Sequence, residues 1–309
     1  MNNLKAIDLF AGVGGVRLGF QQAFGDNIEF VFSSDIDKFA RKTYFDNFSE
    51  EPYGDITKID VKDIPSFDIL LGGFPCQSFS IAGLRKGFDD TRGTLFFDVA
   101  RIIDFHKPQV VFLENVKGLL SHNKGNTFKV IQETLEQLGY SVHFKILNAK
   151  DFGVPQNRER IYIVCLKNSI NFEFPIAPKT STRIGDILES EVECKYTMSD
   201  KLWTGHQKRR SNHQKKGNGF GYGLFKESSS YVSTISARYY KDGSEILIEQ
   251  EDKNPRKLTP REAARLQGFP DDFKITVSDT QFYKQMGNSV AVPVIREIAK
   301  NIFKSLENF

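Results

Sequence analysis

The chain has 309 residues, 39% of them hydrophobic and 26% charged, with a formal net charge of +3. That length can bury a proper core in one large domain or two smaller ones, and the composition is that of an ordinary globular protein. A charge this small announces no nucleic-acid partner, so local clustering must carry any such argument. The cysteines, Cys76, Cys165 and Cys194, are widely spaced without a Cys-x-x-Cys pair. This argues against a disulfide framework or a bound metal and for a reducing compartment. No apolar run reaches membrane-spanning length, and Met1 leads almost directly into a strand. A cytoplasmic protein with no membrane partner is expected.

In chain order, residues 5–10 read as an apolar strand ending in Ala11-Gly12-Val13-Gly14-Gly15. Val16, Leu18, Gly19 and Phe20 continue with helical spacing to a stop at Gly25. Strand, glycine turn and helix make the first half of a nucleotide-type βαβ unit, although glycine turns join strands to helices in many settings. Residues 28–32 form a second strand, and Asp35 lies 20 residues after Gly15, placed to accept hydrogen bonds from ribose hydroxyls. The turn is Gly-x-Gly-Gly rather than Gly-x-Gly-x-x-Gly, which favours an adenosyl ligand without a pyrophosphate. Gly54-Asp55-Ile56 sets a second carboxylate after another short extended piece.

Residues 67–71 read as a short buried strand of a parallel sheet, followed by Gly72-Gly73-Phe74-Pro75-Cys76-Gln77-Ser78-Phe79-Ser80. Cys76 thus sits just past the C-terminal end of a strand, where open α/β sheets build their sites, and Pro75 pre-sets the turn. A lone cysteine would read as a small buried apolar residue, but the flanking glycines and the partners below reverse that. Residues 80–92, with Arg85 and Lys86, read as a loop over the site, a plain solvated connection being the alternative. Helical spacing over 94–103 includes Leu95, and the buried strand 109–113 leaves Glu114 at its C-terminal end. A helix over 127–138, stopped by Gly139, and strands over 142–147 and 161–166 close the sheet, with Cys165 in the core. Between those strands, Arg158 and Arg160 stand at the mouth of the sheet. A thiolate attacks soft electrophilic carbons, a carboxylic acid can protonate a ring nitrogen, and arginine offers fixed donors to an exocyclic oxygen. That set suits covalent activation of a pyrimidine at C6, which makes C5 nucleophilic enough to accept a methyl group.

The motifs Asp8-Leu-Phe-Ala-Gly-Val-Gly-Gly15, Gly72-Gly-Phe-Pro-Cys-Gln77, Phe112-Leu-Glu-Asn115, Gln156-Asn-Arg-Glu-Arg160, Arg256-Lys-Leu-Thr-Pro-Arg-Glu-Ala-Ala-Arg-Leu-Gln-Gly268 and Gln285-Met-Gly-Asn-Ser289 stand in one order. Over nearly its whole length the chain resembles the DNA (cytosine-5)-methyltransferase family of bacterial restriction–modification type. The resemblance implies S-adenosyl-methionine as methyl donor, S-adenosyl-homocysteine as product, and a flipped cytosine of double-stranded DNA as acceptor. It implies a monomer, with a cognate restriction endonuclease as a functional partner only. It assigns Cys76 as nucleophile, Glu114 as the group facing N3 and Arg160 as a contact to the cytosine, with Arg158 beside it in the catalytic set. It suggests cofactor roles for Phe10, Gly12, Gly14, Asp35, Ile36, Asp55, Ile56, Leu95 and Asn288. Many relatives carry an aromatic residue where this chain has Ile36, so packing against adenine would be aliphatic here.

Residues 168–255 have weak hydrophobic periodicity. The run 201–216 holds Lys201, Lys208, Arg209, Arg210, Lys215 and Lys216 and leads into the glycine-aromatic loop 217–223. A charge run alone is usually a solvated face; beside such a loop it reads as a groove reader, with Lys208, Arg209 and Arg210 meeting phosphates. Residues 234–243 look like a hairpin, with Arg238 as a base contact or, equally, a surface ion pair. Phe220 is the candidate filler of the gap left by a flipped base, since Ala82 in the catalytic loop is too short, the alternative being an anchor of its loop onto the small domain. The recognition region looks most like Dcm-type enzymes, favouring CCNGG or CCWGG, then CCGG. Thr259-Pro260-Arg261-Glu262 is a capping box opening a helix that Gly268 stops, and Ile295, Ile298, Ile302 and Leu306 share one face of a last helix.

The expected architecture is α/β: a doubly wound, mostly parallel sheet of the S-adenosyl-methionine-dependent methyltransferase type with a smaller target-recognition domain. Residues 1–170 form the catalytic domain, 171–282 the recognition domain, and 283–309 return to the catalytic domain, with DNA in the cleft between them. The rival readings are a tRNA cytosine-5 methyltransferase and a catalytically dead DNA-binding regulator. The basic insert speaks against the first and intact Cys76 with Glu114 against the second.

Overall fold

Apolar runs and glycine turns in the first half of the chain become β1 (Leu4–Leu9), β2 (Ile28–Ser34), β3 (Ile69–Gly72), β4 (Val110–Val116), β5 (Ser141–Asn148) and β6 (Glu159–Leu166). In this computed structural model, which describes residues 3–75, 95–167, 170–217, 219 and 221–307, they form a sheet in the order β2-β1-β3-β4-β6-β5. The neighbours from β2 to β4 pair in parallel, so β1 to β4 end at one edge, and β6 runs antiparallel to β4. The start of β6 therefore lies beside the end of β4, with Val116 opposite Arg160. That register decides where the catalytic candidates meet.

Helices α1 (Gly15–Phe24), α2 (Lys38–Phe48), α3 (Leu95–His106) and α4 (Asn126–Gln137) follow the strands. Strand residues alternate between faces. Leu70, Val111 and Leu113 pack with Val99 and Ile103 of α3 and Ile131 and Leu135 of α4. Phe112, between Val111 and Leu113, meets Phe20 of α1 edge-on at 5.3 Å. Cys165 is fully buried, as expected, and burial pushes its thiol pKa far up. It is a packing residue.

Contacts divide the chain into one unit of Met1–Leu147, Glu159–Ile176 and Val294–Phe309 and a second of Asn148–Arg158 and Ala177–Pro293. The second contains α5 (Asp200–Lys215), β7 (Leu224–Phe225), α6 (Tyr239–Asp242), β8 (Leu247–Gln250), β9 (Lys253–Lys257), α7 (Pro260–Leu266) and α8 (Asp279–Asn288). α5 fills the basic run, and His206 is its one buried residue, so no apolar stripe marks it as a helix in the sequence. The capping box forms as read: Thr259 accepts from Glu262 N, and Glu262 accepts from Thr259 N. Glu262 is fully buried and receives Arg256 through bonds of 2.7 and 2.8 Å.

Residues 234–243 are not the expected hairpin but a loop running into the single turn of α6. The reason is Tyr239: it is buried and its hydroxyl donates to Ile246 O at 2.7 Å, pulling the backbone inward where a hairpin would keep it extended. The antiparallel pair is β8 with β9 instead. The expected boundary at 283 also differs from the unit boundary at Val294, because Tyr283 of α8 donates to Leu258 O at 2.5 Å and its ring meets Tyr239 at 5.2 Å. α9 (Val292–Glu307) buries Val294, Ile295, Ile298 and Ile302, and its Phe303 meets Phe24 of α1 at 4.8 Å.

Candidate active site

At the end of β1 the backbone turns left-handed at Phe10 (φ 55°), Gly12 (φ 56°) and Gly14 (φ 83°). That conformation costs a side-chain-bearing residue about 1–2 kcal/mol, so Phe10 is a strained point, of the kind that gathers at ligand sites. The turn is fastened by Ala11 N to Ser34 O at 3.0 Å and by Gly12 N to Asp35 Oδ2 at 2.8 Å. Asp37 N donates to the other oxygen of Asp35 at 2.7 Å. Burial raises the Asp35 pKa, opposed by these two backbone donors. Ile36 is 75% exposed and Tyr53 59% exposed. Tyr53 is stacked on Phe32 at 4.8 Å and paired by backbone to Ser33 and Asp35. No motif singles out Tyr53; an open aromatic on a fixed backbone is the signal.

These residues fit an adenosyl group. Each Asp35 oxygen is oriented by one N–H and keeps a lone pair for a ribose hydroxyl. A side chain on Gly12 would meet no atom within 4 Å, so the turn leaves open space. Asp55 accepts from Thr57 N at 3.1 Å and Thr57 Oγ1 at 2.8 Å, and these bonds lower its pKa. Ile56 is buried in the core rather than open to a ligand, Leu95 begins α3, and Asn288 ends α8 in the second unit with an exposed side chain.

On the same sheet edge, Glu114 at the end of β4 is 9% exposed and lies 3.2 Å from Arg160 Nε. A side chain on Gly73 would stand 3.7 Å from the second Glu114 oxygen. Asn115 Nδ2 donates to Phe74 O at 2.8 Å, which ties the segment leading up to Pro75 to the end of β4. Cys76 itself, with Arg85, Lys86 and Phe220, lies outside the described residues. Arg158 belongs to the second unit, is 3% exposed, and donates to the carbonyls of Ile235, Gly287 and Ser289.

On β1, just before the glycine turn, Asp8 is buried next to a network in which Arg17 bonds Tyr44 at 2.9 Å and Glu50 at 2.5 Å. Burial pushes the Asp8 carboxyl up to about 8; Arg17 draws it back, while Glu50 and Asp35 raise it. In the second unit, Lys208 is exposed, Arg210 lies over the Tyr222 ring at 4.7 Å, and Arg209 bonds Asp242 at 3.3 Å and His206 at 2.8 Å. Arg238 is exposed and lines a cleft of about 570 Å³ with Arg209, His213, Lys241 and Glu245.

The model of the C-5 cytosine-specific DNA methylase family matches residues 4–304. The chain belongs to this family. It is 63% identical to Type II methyltransferase M.SsoII of Shigella sonnei, an alignment that covers 98% of this chain and 81% of that one. It is 60% identical to Type II methyltransferase M.NlaX of Neisseria lactamica, over 98% and 97% of the two chains. The solved structure of S. pombe Dnmt2 methyltransferase superposes with a TM-score of 0.82 over 99% of this chain and all of that one, at 23% identity, which speaks for the fold alone. The α/β methyltransferase fold expected from the sequence is the one observed. As a C-5 cytosine-specific DNA methylase the protein is an enzyme acting on DNA, and its family implies S-adenosyl-methionine-dependent methylation. Among the described residues no helix is long and apolar enough to cross a membrane.

Proposed function

We propose that this methylase modifies C5 of a cytosine flipped out of duplex DNA through a covalent bond between Cys76 and C6. The observation carrying this reading is the Glu114–Arg160 pair at 3.2 Å, on the edge where Asn115 holds the segment leading into Cys76. The Cys76 thiolate adds to C6 while Glu114 gives a proton to N3, and the electron pair of the C5–C6 double bond becomes available at C5. Arg160 holds Glu114 and donates to the exocyclic oxygen. Phe10, Gly12, Gly14, Asp35, Ile36, Asp55, Leu95 and Asn288 would hold S-adenosyl-methionine, which when bound supplies the methyl group. Once C5 is methylated, its proton passes to solvent, the C5–H electron pair forms the C5–C6 double bond as the C6–S bond breaks and releases the Cys76 thiolate, and N3 returns its proton to Glu114, freeing both enzyme and product.

The second unit reads the target, with Arg238 on a guanine edge and Phe220 filling the vacated stack. The site is CCNGG or CCWGG, with CCGG as the second choice. Relatives named Type II methyltransferases support a role in restriction–modification, protecting host DNA in the cytoplasm as a monomer.

The reading predicts that Cys76→Ser abolishes methylation while leaving cofactor binding intact. DNA carrying 5-fluorocytosine should trap the wild type as a covalent adduct stable to denaturant, because C5 then has no proton to lose. Glu114→Gln should slow turnover by about 10²–10⁴-fold with DNA affinity retained. Robust turnover by Cys76→Ser, or no adduct, would overturn it.

A further inference from the structure

Residues 154–158 run through the second unit as a strap to which several segments are fastened. Val232 N donates to Pro155 O at 2.9 Å and Asn157 N to Val232 O at 2.9 Å. Thr234 Oγ1 donates to Asn157 O at 2.6 Å, and Ile235 N to Gln156 Oε1 at 3.1 Å. The Gln156 amide donates in turn to Leu266 O and Gln267 Oε1, both at 3.0 Å. Arg158 completes the set, with Nη1 on Ile235 O at 3.2 Å and Nη2 on Gly287 O at 3.2 Å and Ser289 O at 2.5 Å.

From the other side, the end of α8 presses on the same segment. A Cβ on Gly287 would stand 2.2 Å from Ala237 N and from the Ser236 carbonyl carbon. Only a glycine lets two backbones approach so closely. Beyond the pinned stretch, Arg238 N donates to Ser236 Oγ at 3.1 Å, and Tyr239 is held through its hydroxyl by Ile246 and Leu258. Exposed Arg238 therefore stands between two fixed points, one on the strap and one on Tyr239.

We infer that Arg158 is a positioning residue for target reading: its guanidinium fastens the 232–238 segment to the end of α8, so that Arg238 is presented from a fixed backbone. A planar fork with its donors in set directions can serve several carbonyls of two segments at once; a lysine ammonium on a flexible stem holds no such geometry. The burial of Arg158 is at odds with direct contact to the reacting base. The inference rests on the reading that Arg238 contacts DNA, and the test separates the two.

The test uses the full-length enzyme, a duplex carrying the site found by methylation mapping, and an unrelated duplex of equal length. Arg158→Lys should lower the ratio of cognate to unrelated affinity by about tenfold or more, the loss expected when a bidentate base contact is misplaced. Thr234→Val, a milder change, should lower the ratio in the same direction and decides the matter if Arg158→Lys does not fold. A collapse of kcat with the ratio intact would put Arg158 on the reacting base and overturn the inference. So would equal weakening on both duplexes, or none on either. Arg238→Ala is the separate control: an unchanged ratio there, with a lowered one in Arg158→Lys, removes Arg238 as the reader but keeps the strap.

Discussion

Asp8 stands on β1 with 1% of its surface exposed, and neither carboxylate oxygen has a hydrogen-bond partner of ordinary geometry among the described residues. Desolvation favours the neutral form and lifts its pKa from 3.8 to about 8. The folded chain therefore keeps a proton that the unfolded chain releases once the pH exceeds its ordinary carboxylate range. Stability from this group is highest below that range and falls as pH rises, by about 1.4 kcal/mol per pH unit at most, until the folded pKa is passed. Asp8→Asn, neutral throughout, should lose this slope. Denaturant unfolding at pH 5 and pH 8 should show the variant gaining on the parent between the two, and a gap that does not change with pH would contradict it. Sequence gave a partial view at this scale. Glu114 and Arg160 were legible because each follows or opens an apolar strand. Arg158, read at the sheet mouth together with Arg160, precedes β6, which begins at Glu159, and its guanidinium is held by the carbonyls of Ile235, Gly287 and Ser289, partners that no local pattern reveals.

Among the elements, the contact of α1 with α9 leaves little room. A Cβ on Gly19 would lie 2.5 Å from Ile295 Cγ2 and 3.1 Å from Arg296 N, one a branched side chain beside the backbone and the other the backbone itself. Alanine would gain about 1 kcal/mol of helix propensity over glycine, whereas overpacking a tight contact costs about 1–3 kcal/mol. The clash should win: Gly19→Ala should lower the thermal midpoint, and a raised midpoint would show that the helices separate freely. The apolar runs of β1, β3, β4 and β6 are readable because these strands are buried on both faces over most of their length, and the face of α9 because its buried residues recur with helical spacing. α5 is not, since a helix that buries only His206 leaves no stripe to read. The 234–243 segment departs from a hairpin because Tyr239 is drawn onto Ile246 and because Gln156, Arg158 and Gly287, far away in sequence, hold residues 235–237, which no local pattern reveals.

For the whole molecule, a net charge of +3 hides a local excess on α5. Its order in chain was plain in the motifs, but which of its cations face solvent freely depends on tertiary neighbours. Arg209 is engaged by Asp242 and His206, and Arg210 covers the Tyr222 ring. Lys208, Lys215 and Lys216 are exposed, and these three suit phosphates best. Each phosphate contact releases condensed counterions, worth about 0.9 in the slope of log K against log salt. Replacing the three lysines with alanine should therefore weaken cognate and unrelated duplexes alike and reduce that slope by about 2–3. Arg209→Ala, which removes a link between α5 and α6, should leave the slope nearly unchanged. The measurement is a salt titration of binding to both duplexes. A triple-lysine variant with the parent's slope would take α5 out of the DNA interface. A loss confined to the cognate duplex would make the lysines base readers, since phosphates carry no sequence for them to distinguish.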